Sequence, residues 1–116
     1  MKLDLIFILL NILQAITVLA ISYFFKKNYP KEINAFMGYR TKRSMSSPEA
    51  WILANSYSSQ ILFNYSVIAV ILQLFLNLFL LPSVALVWTV AVWIFFLFLT
   101  IFQTEVKLKR ASRNRH

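Results

Sequence analysis

Between two strongly apolar stretches lies the run Gly38-Tyr39-Arg40-Thr41-Lys42-Arg43-Ser44-Met45-Ser46-Ser47-Pro48-Glu49-Ala50-Trp51-Ile52-Leu53-Ala54-Asn55, which concentrates residues able to do chemistry. A guanidinium at Arg40 can hold a carboxylate bidentately. Glu49 stands where such a partner would be wanted, in the positive first turn of a helix. The start of that helix is marked twice. Ser46 or Ser47 can cap it, Ser46-x-x-Glu49 being a capping-box pattern, and Pro48 suits the first turn with its fixed φ and missing donor. Gly38 is the one glycine in 116 residues, which makes it the natural place for a positive-φ turn or a close backbone approach. An Arg40–Glu49 pair would close Gly38 to Glu49 into a compact loop. The plainer meaning of Arg40, Lys42 and Arg43 is topological, as cations that keep a loop inside a membrane. Trp51 likewise reads either as part of this loop or as an indole anchored at the headgroup level.

As a catalytic inventory the chain is thin. It has no cysteine and a single histidine, His116, at the last position. That removes disulfides, thiol nucleophiles and iron–sulfur ligation, and leaves carboxylates to supply nearly every ligand of any zinc site. A lipid-directed enzyme can be drawn with Arg40 and Lys42 on phosphate and Glu49 as base, but one carboxylate without histidine or metal makes it the weakest reading. The expectation is no catalytic residue, no metal and no cofactor.

The elements that must position the motif are membrane spans. Leu5–Phe25, Ile61–Leu81 and Val84–Phe102 carry no formal charge. Each approaches the roughly 20 apolar residues needed to cross a hydrocarbon core. Lipid offers backbone amides no partner, so all three are expected as α-helices. The predicted fold is all-α, an integral membrane three-helix bundle: one N-terminal span (about 5–25), a motif loop with a short helix (26–60), and a helical hairpin (about 61–81 and 84–102) turning at Pro82, followed by a basic tail (103–116). The whole, 1–116, reads as one membrane domain. Val18-Leu19-Ala20 loosely resembles a signal-peptide cleavage site, but the long apolar run, Asp4 and the cations that follow argue that the span is retained.

Charge sets the orientation. Twelve Lys and Arg against four Asp and Glu give a net +8, and Lys2 alone precedes Lys26. The 26–60 loop and the tail are both basic, whereas the Pro82 turn is uncharged. Positive-inside bias then puts loop and C-terminus in the cytoplasm, and the N-terminus and Pro82 turn outside. Because the cations flank spans, anionic lipid explains them better than nucleic acid does.

Polar residues inside the spans form stripes at helical spacing: Ser66, Gln73 and Asn77 in the second, Thr89, Thr100 and Gln103 in the third, and Asn11 with Gln14 in the first. Asn55 and Ser59 would prolong the second stripe. These read as interhelical packing contacts, or alternatively as a groove admitting a peptide or small solute. No carboxylate, Lys, Arg or His lies in any span, so proton-coupled transport is not expected. The aromatic third span reads as lipid-facing or packing surface.

The run Gly38-Tyr39-Arg40-Thr41, then Ser44, then Glu49, Trp51, Ala54 and Asn55, resembles the signature of the SdpI family of bacterial membrane proteins, placed between a first span and a helical hairpin. The motif covers about eighteen residues, and the three-span layout extends the likeness over nearly the whole chain. The chain carries one motif-bearing unit without the additional spans of longer members. The resemblance implies an immunity protein against a secreted peptide toxin, or a receptor passing toxin presence to a cytoplasmic repressor. On this view Gly38, Arg40, Thr41, Ser44, Glu49, Trp51 and Asn55 are the partner-binding motif, in the bacterial cytoplasmic membrane. The competing reading is a small accessory or structural subunit of a larger membrane complex, with homo-oligomerisation an open possibility.

Overall fold

The computed structural model describes residues 2–114; Met1, Arg115 and His116, and with them the end of the basic tail, lie outside the described residues. Three helices make the fold: α1 (Lys2–Asn28), α2 (Pro48–Phe79) and α3 (Pro82–Asn114). Each is long and apolar enough to cross a membrane. The helical part of the connector is the start of α2 itself, which runs unbroken into the second span.

Local chemistry sets the helix ends. Asp4 sits in the first turn of α1 and Lys26 and Lys27 in its last, each on the favourable end of the macrodipole. Ser47, not Ser46, caps α2: its side chain accepts from the Ala50 amide, and Pro48 follows in the first turn. The Ser46 hydroxyl instead donates to the Arg43 carbonyl. At the far end Leu80 leaves the helix in an extended conformation, and Pro82 opens α3 after only Leu80 and Leu81. The antiparallel hairpin expected from Pro82 is therefore as tight as the sequence implied.

At 1.5 Å per residue the 32 residues of α2 and the 33 of α3 run roughly 48–50 Å, against a hydrocarbon core of about 30 Å. The surplus of both helices falls at the connector end. There the first turns of α2 and the last turns of α3 project as a two-helix stalk.

The interior is the reverse of a water-soluble core. Ala54, Ala69, Ala85, Ser22, Ser58, Ser66, Thr89, Thr100 and Thr104 are buried, while most large apolar side chains of the spans face outward. With lipid as apolar as leucine, small residues that let backbones approach are what hold helices together. Ser66, Thr89, Thr100 and Thr104 satisfy their hydroxyls on their own helix, donating to the carbonyl four residues back.

Candidate functional site

The connector, residues 29–47, is folded onto the stalk by hydrogen bonds that converge on the motif. Trp51 is fully buried, and its indole N–H donates to the Pro30 carbonyl at 2.9 Å. Of its two sequence readings the loop contact is the one observed, and the headgroup anchor is ruled out by burial. One turn further along α2, the Asn55 amide acts as a substitute backbone. Its Oδ1 accepts from the Tyr39 N–H at 2.6 Å, and its Nδ2 donates to the carbonyls of Trp51 at 3.0 Å and Tyr39 at 3.3 Å.

Gly38 makes that approach possible on both counts foreseen for it. Its φ is +97°, and a Cβ there would stand 2.5 Å from Asn55 Oδ1 and 2.7 Å from Pro30 Cγ. Ser44, fully buried, closes the next turn. Its hydroxyl accepts from the Thr41 N–H at 2.8 Å and lies 3.0 Å from the carbonyls of both Tyr39 and Thr41 as donor. The Thr41 hydroxyl accepts from the Ser44 N–H and donates to Glu105 Oε2 at 3.0 Å.

Arg40 does not pair with Glu49. Its Nε donates to the Asn34 carbonyl at 3.0 Å, within the connector, and the side chain is exposed. Asn34 is held for this by its own turn, its Oδ1 accepting from the amides of Phe36 and Met37. Glu49 occupies the first turn of α2, exposed, where the macrodipole favours it without a cation. The ion-pair expectation is thus corrected: a carbonyl nearer in sequence intercepts the guanidinium, and the helix start carries Glu49 outward.

Glu105, on α3, supplies the carboxylate that the motif actually uses. It receives the Tyr39 hydroxyl at 2.7 Å as well as Thr41. Burial, and then the adjacent carboxylate, push the Tyr39 phenol well above its usual range, so it remains a donor at physiological pH. Neither residue was singled out from sequence. The available signal was that Glu105 is the lone acid among the cations after the third span. Under this cap, between the three helices, lies a cavity of about 240 Å³ bordered by Gly38, Tyr39, Asn55, Ser59 and Thr100.

A second polar layer crosses the opposite half of the bundle. Gln73 Nε2 lies 2.9 Å from Asn11 Oδ1, 3.1 Å from the Asn11 carbonyl and 3.3 Å from Gln14 Oε1. Asn77 also reaches Asn11 Oδ1, and Asn11 Nδ2 donates to the carbonyls of Phe7 and Pro82. Asn11, Gln14, Gln73 and Asn77 are thus brought together, tying α1 to α2 and to the Pro82 turn beside a cleft of about 330 Å³. Ser66, Thr89 and Thr100 are not part of this layer. Gln103 stands apart from it too, accepting from the Tyr65 hydroxyl at 2.6 Å across α2 and α3.

The model of the SdpI/YfhL protein family matches residues 31–103, from the connector through the hairpin. The chain belongs to the SdpI/YfhL family. It is 40% identical over 60 residues to the uncharacterized protein YfhL of Bacillus subtilis (strain 168), a match covering 50% of this chain and 54% of that one. The chain thus spans about half the length of the curated relative it matches. No solved structure matches it. The SdpI/YfhL match runs from Lys31 to Gln103, so it takes in the motif from Asn34 to Asn55 while leaving α1, Pro30 and Glu105 outside it.

Proposed function

We propose that this SdpI/YfhL-family protein acts in the bacterial cytoplasmic membrane to give immunity to, or signal the presence of, a secreted peptide toxin, and that it works by binding rather than catalysis. The observation that carries this reading is the way the motif is used. Gly38, Thr41, Ser44, Trp51 and Asn55 are consumed in building a rigid cap, joined to α3 through Glu105. Such a cap is a presentation surface. The one carboxylate inside it, Glu105, is taken up in the framework by the hydroxyls of Tyr39 and Thr41.

Positive-inside bias places the cap in the cytoplasm, where it would meet a repressor or another cytoplasmic partner, and the Asn11–Gln73–Asn77 layer toward the outer leaflet. A peptide arriving from outside meets that layer and its cleft first. The ligand can bias the cap only by preferring one helix arrangement over another. Deletion of the gene followed by challenge with secreted peptide toxins, with complementation by wild type, tests this. Sensitivity rising on deletion supports it; unchanged sensitivity to every toxin overturns it, as does stoichiometric recovery of a larger membrane partner, without toxin, from mild detergent.

A further inference from the structure

In the half of the bundle away from the connector, the cleft of about 330 Å³ between α1 and α2 has apolar walls, Ile12 and Ala15 on one side and Leu74 on the other, and a polar floor made by Asn11, Gln73 and Asn77. Those three amides spend all their protons inside the protein. Asn11 Nδ2 donates to the carbonyls of Phe7 and Pro82, Asn77 Nδ2 donates to Asn11 Oδ1 and the Gln73 carbonyl, and Gln73 Nε2, with two hydrogens, faces three oxygens. Exchanging O and N in any of them would set oxygen against oxygen. Two acceptors are left over, Gln73 Oε1 and Asn77 Oδ1. Neither takes a hydrogen bond from any described residue, and neither is sealed from the surface. Gln73 is itself only 4% exposed. Gln14, the fourth member of the layer, does not border the cleft.

We infer that this cleft binds an uncharged hydrogen-bond donor, a hydroxyl or an indole N–H, carried on an apolar segment of a peptide dissolved in the membrane. The inference rests on the reading of the protein as a binder of membrane-active peptides, and adds what such a peptide must carry. Gln73 stands near the middle of the uncharged Ile61–Leu81 run, where an acceptor without a partner is costly and the surrounding acyl chains offer no donor. A guest that presents a carbonyl or a carboxylate meets only acceptors and is repelled. A Lys or Arg side chain would be buried with no carboxylate in the lining to pair it. A peptide helix in lipid satisfies its own backbone amides, so the donor has to come from a side chain, that of Ser, Thr, Tyr or Trp. The volume is at the small end of ligand pockets, about 300–1,000 Å³, and so admits side chains of a peptide lying against α1 and α2 rather than the peptide itself.

The test places the full chain in phosphatidylcholine vesicles with a dansyl-labelled Leu- and Ala-rich peptide of about 20 residues, long enough to span the bilayer, that carries Thr, O-methylthreonine or Val at its centre. Energy transfer from the protein's tryptophans reads binding. O-Methylthreonine keeps the oxygen and loses the proton. Wild type is expected to hold the Thr peptide about 3- to 15-fold more tightly than either of the others, the range for one hydrogen bond between membrane helices. Gln73→Leu is expected to bring that ratio below about 2-fold. Ala15→Leu narrows the cleft without touching an amide, and is expected to weaken all three peptides alike. Trypsin protection of the connector establishes that each variant is folded. Equal binding of the three peptides to wild type overturns the inference, as does a preference that survives Gln73→Leu or binding that Ala15→Leu leaves unchanged. So does a wild-type dimer that Ala15→Leu dissociates, which would assign the cleft to a second copy of the chain. Donor preference in vesicles together with unchanged toxin sensitivity on gene deletion would keep the site and overturn immunity; raised sensitivity on deletion without donor preference would do the reverse.

Discussion

Gly38→Ala is the substitution on which the cap turns. A methyl group there would stand 2.5 Å from Asn55 Oδ1 and 2.7 Å from Pro30 Cγ, on a backbone held at φ +97°. An L-residue in the left-handed region costs roughly 1–2 kcal/mol. Displacing Asn55 breaks the bond from the Tyr39 N–H and strands a partly buried backbone donor, about 1–3 kcal/mol more. The sum, roughly 2–5 kcal/mol, is localised in the connector, because none of these contacts lies within the spans. Trypsin reports it directly, since Arg40, Lys42 and Arg43 lie within or beside the closed turn. Cleavage there is expected to accelerate by more than tenfold in the variant, each 1.4 kcal/mol of opening free energy being about tenfold in the open population. The α1–α2 contacts should survive. A double-mutant cycle sharpens the argument: Asn55→Ala removes the oxygen that a Cβ would strike, so the two changes together should cost at least about 1 kcal/mol less than their sum. Unchanged cleavage in Gly38→Ala, or strict additivity with Asn55→Ala, would refute the geometry.

Trp51→Phe keeps the ring but leaves the Pro30 carbonyl without its donor, and is expected to lower stability in detergent by about 1–3 kcal/mol, read by denaturant titration. The Tyr39 phenol is held protonated above its ordinary value near 10, so its contribution is complete below that pH and is lost as pH rises beyond it. Tyr39→Phe should flatten this alkaline arm in trypsin-protection profiles. Gln73→Leu removes the bonds to α1 and is expected to cost roughly 1–2 kcal/mol in bilayer or detergent unfolding, with the connector's trypsin protection unchanged. Single cysteines at Lys42 and Ser83, introduced into a chain that has none, should label from the cytoplasmic and outer sides respectively; the opposite pattern would invert the orientation.

What the sequence made legible follows from the physics of each element. Spans and hairpin could be read because the absence of charge over about 20 residues is a signal that no other structure needs. A serine cap followed by Pro48 was readable because it is local, although the choice between Ser46 and Ser47 stayed open, and Gly38 stood out as the one glycine in the chain. Of the two readings of Arg40, the pairing with Glu49 fails because it looked only at local charge. A guanidinium and a carboxylate nine positions apart invite pairing, yet Asn34, in a stretch with no periodicity to mark it, offers a carbonyl first. Tyr39 and Glu105 stand 66 residues apart, and nothing in either neighbourhood announces the other. In the polar stripes, periodicity identified the inward face correctly but not the partner. Threonine and serine can spend their hydroxyl on their own helix, whereas asparagine and glutamine, too long and with too many donors, must reach across.

That difference in reach bears on how the two halves of the molecule are coupled. The cap is fixed to α2 by part-buried bonds of Trp51 to Pro30 and of Asn55 to Tyr39, and it continues from α1 through Pro30, whose carbonyl receives the Trp51 indole. To α3 it is joined through Glu105 Oε2 and the long contact of the Tyr39 hydroxyl with the Ile101 carbonyl. The amide layer in the other half shows the same asymmetry, binding α1 to α2 and reaching α3 only at the Pro82 carbonyl, at its first residue. The directional contacts of α3 gather at its two ends, at Pro82 and from Ile101 to Glu105, and between them it is held by small-residue packing. A ligand that prefers one arrangement of this bundle by a few kcal/mol would reach the cap through any shift of α3 at its Glu105 end, and the Glu105 carboxylate is where the cap would register that movement.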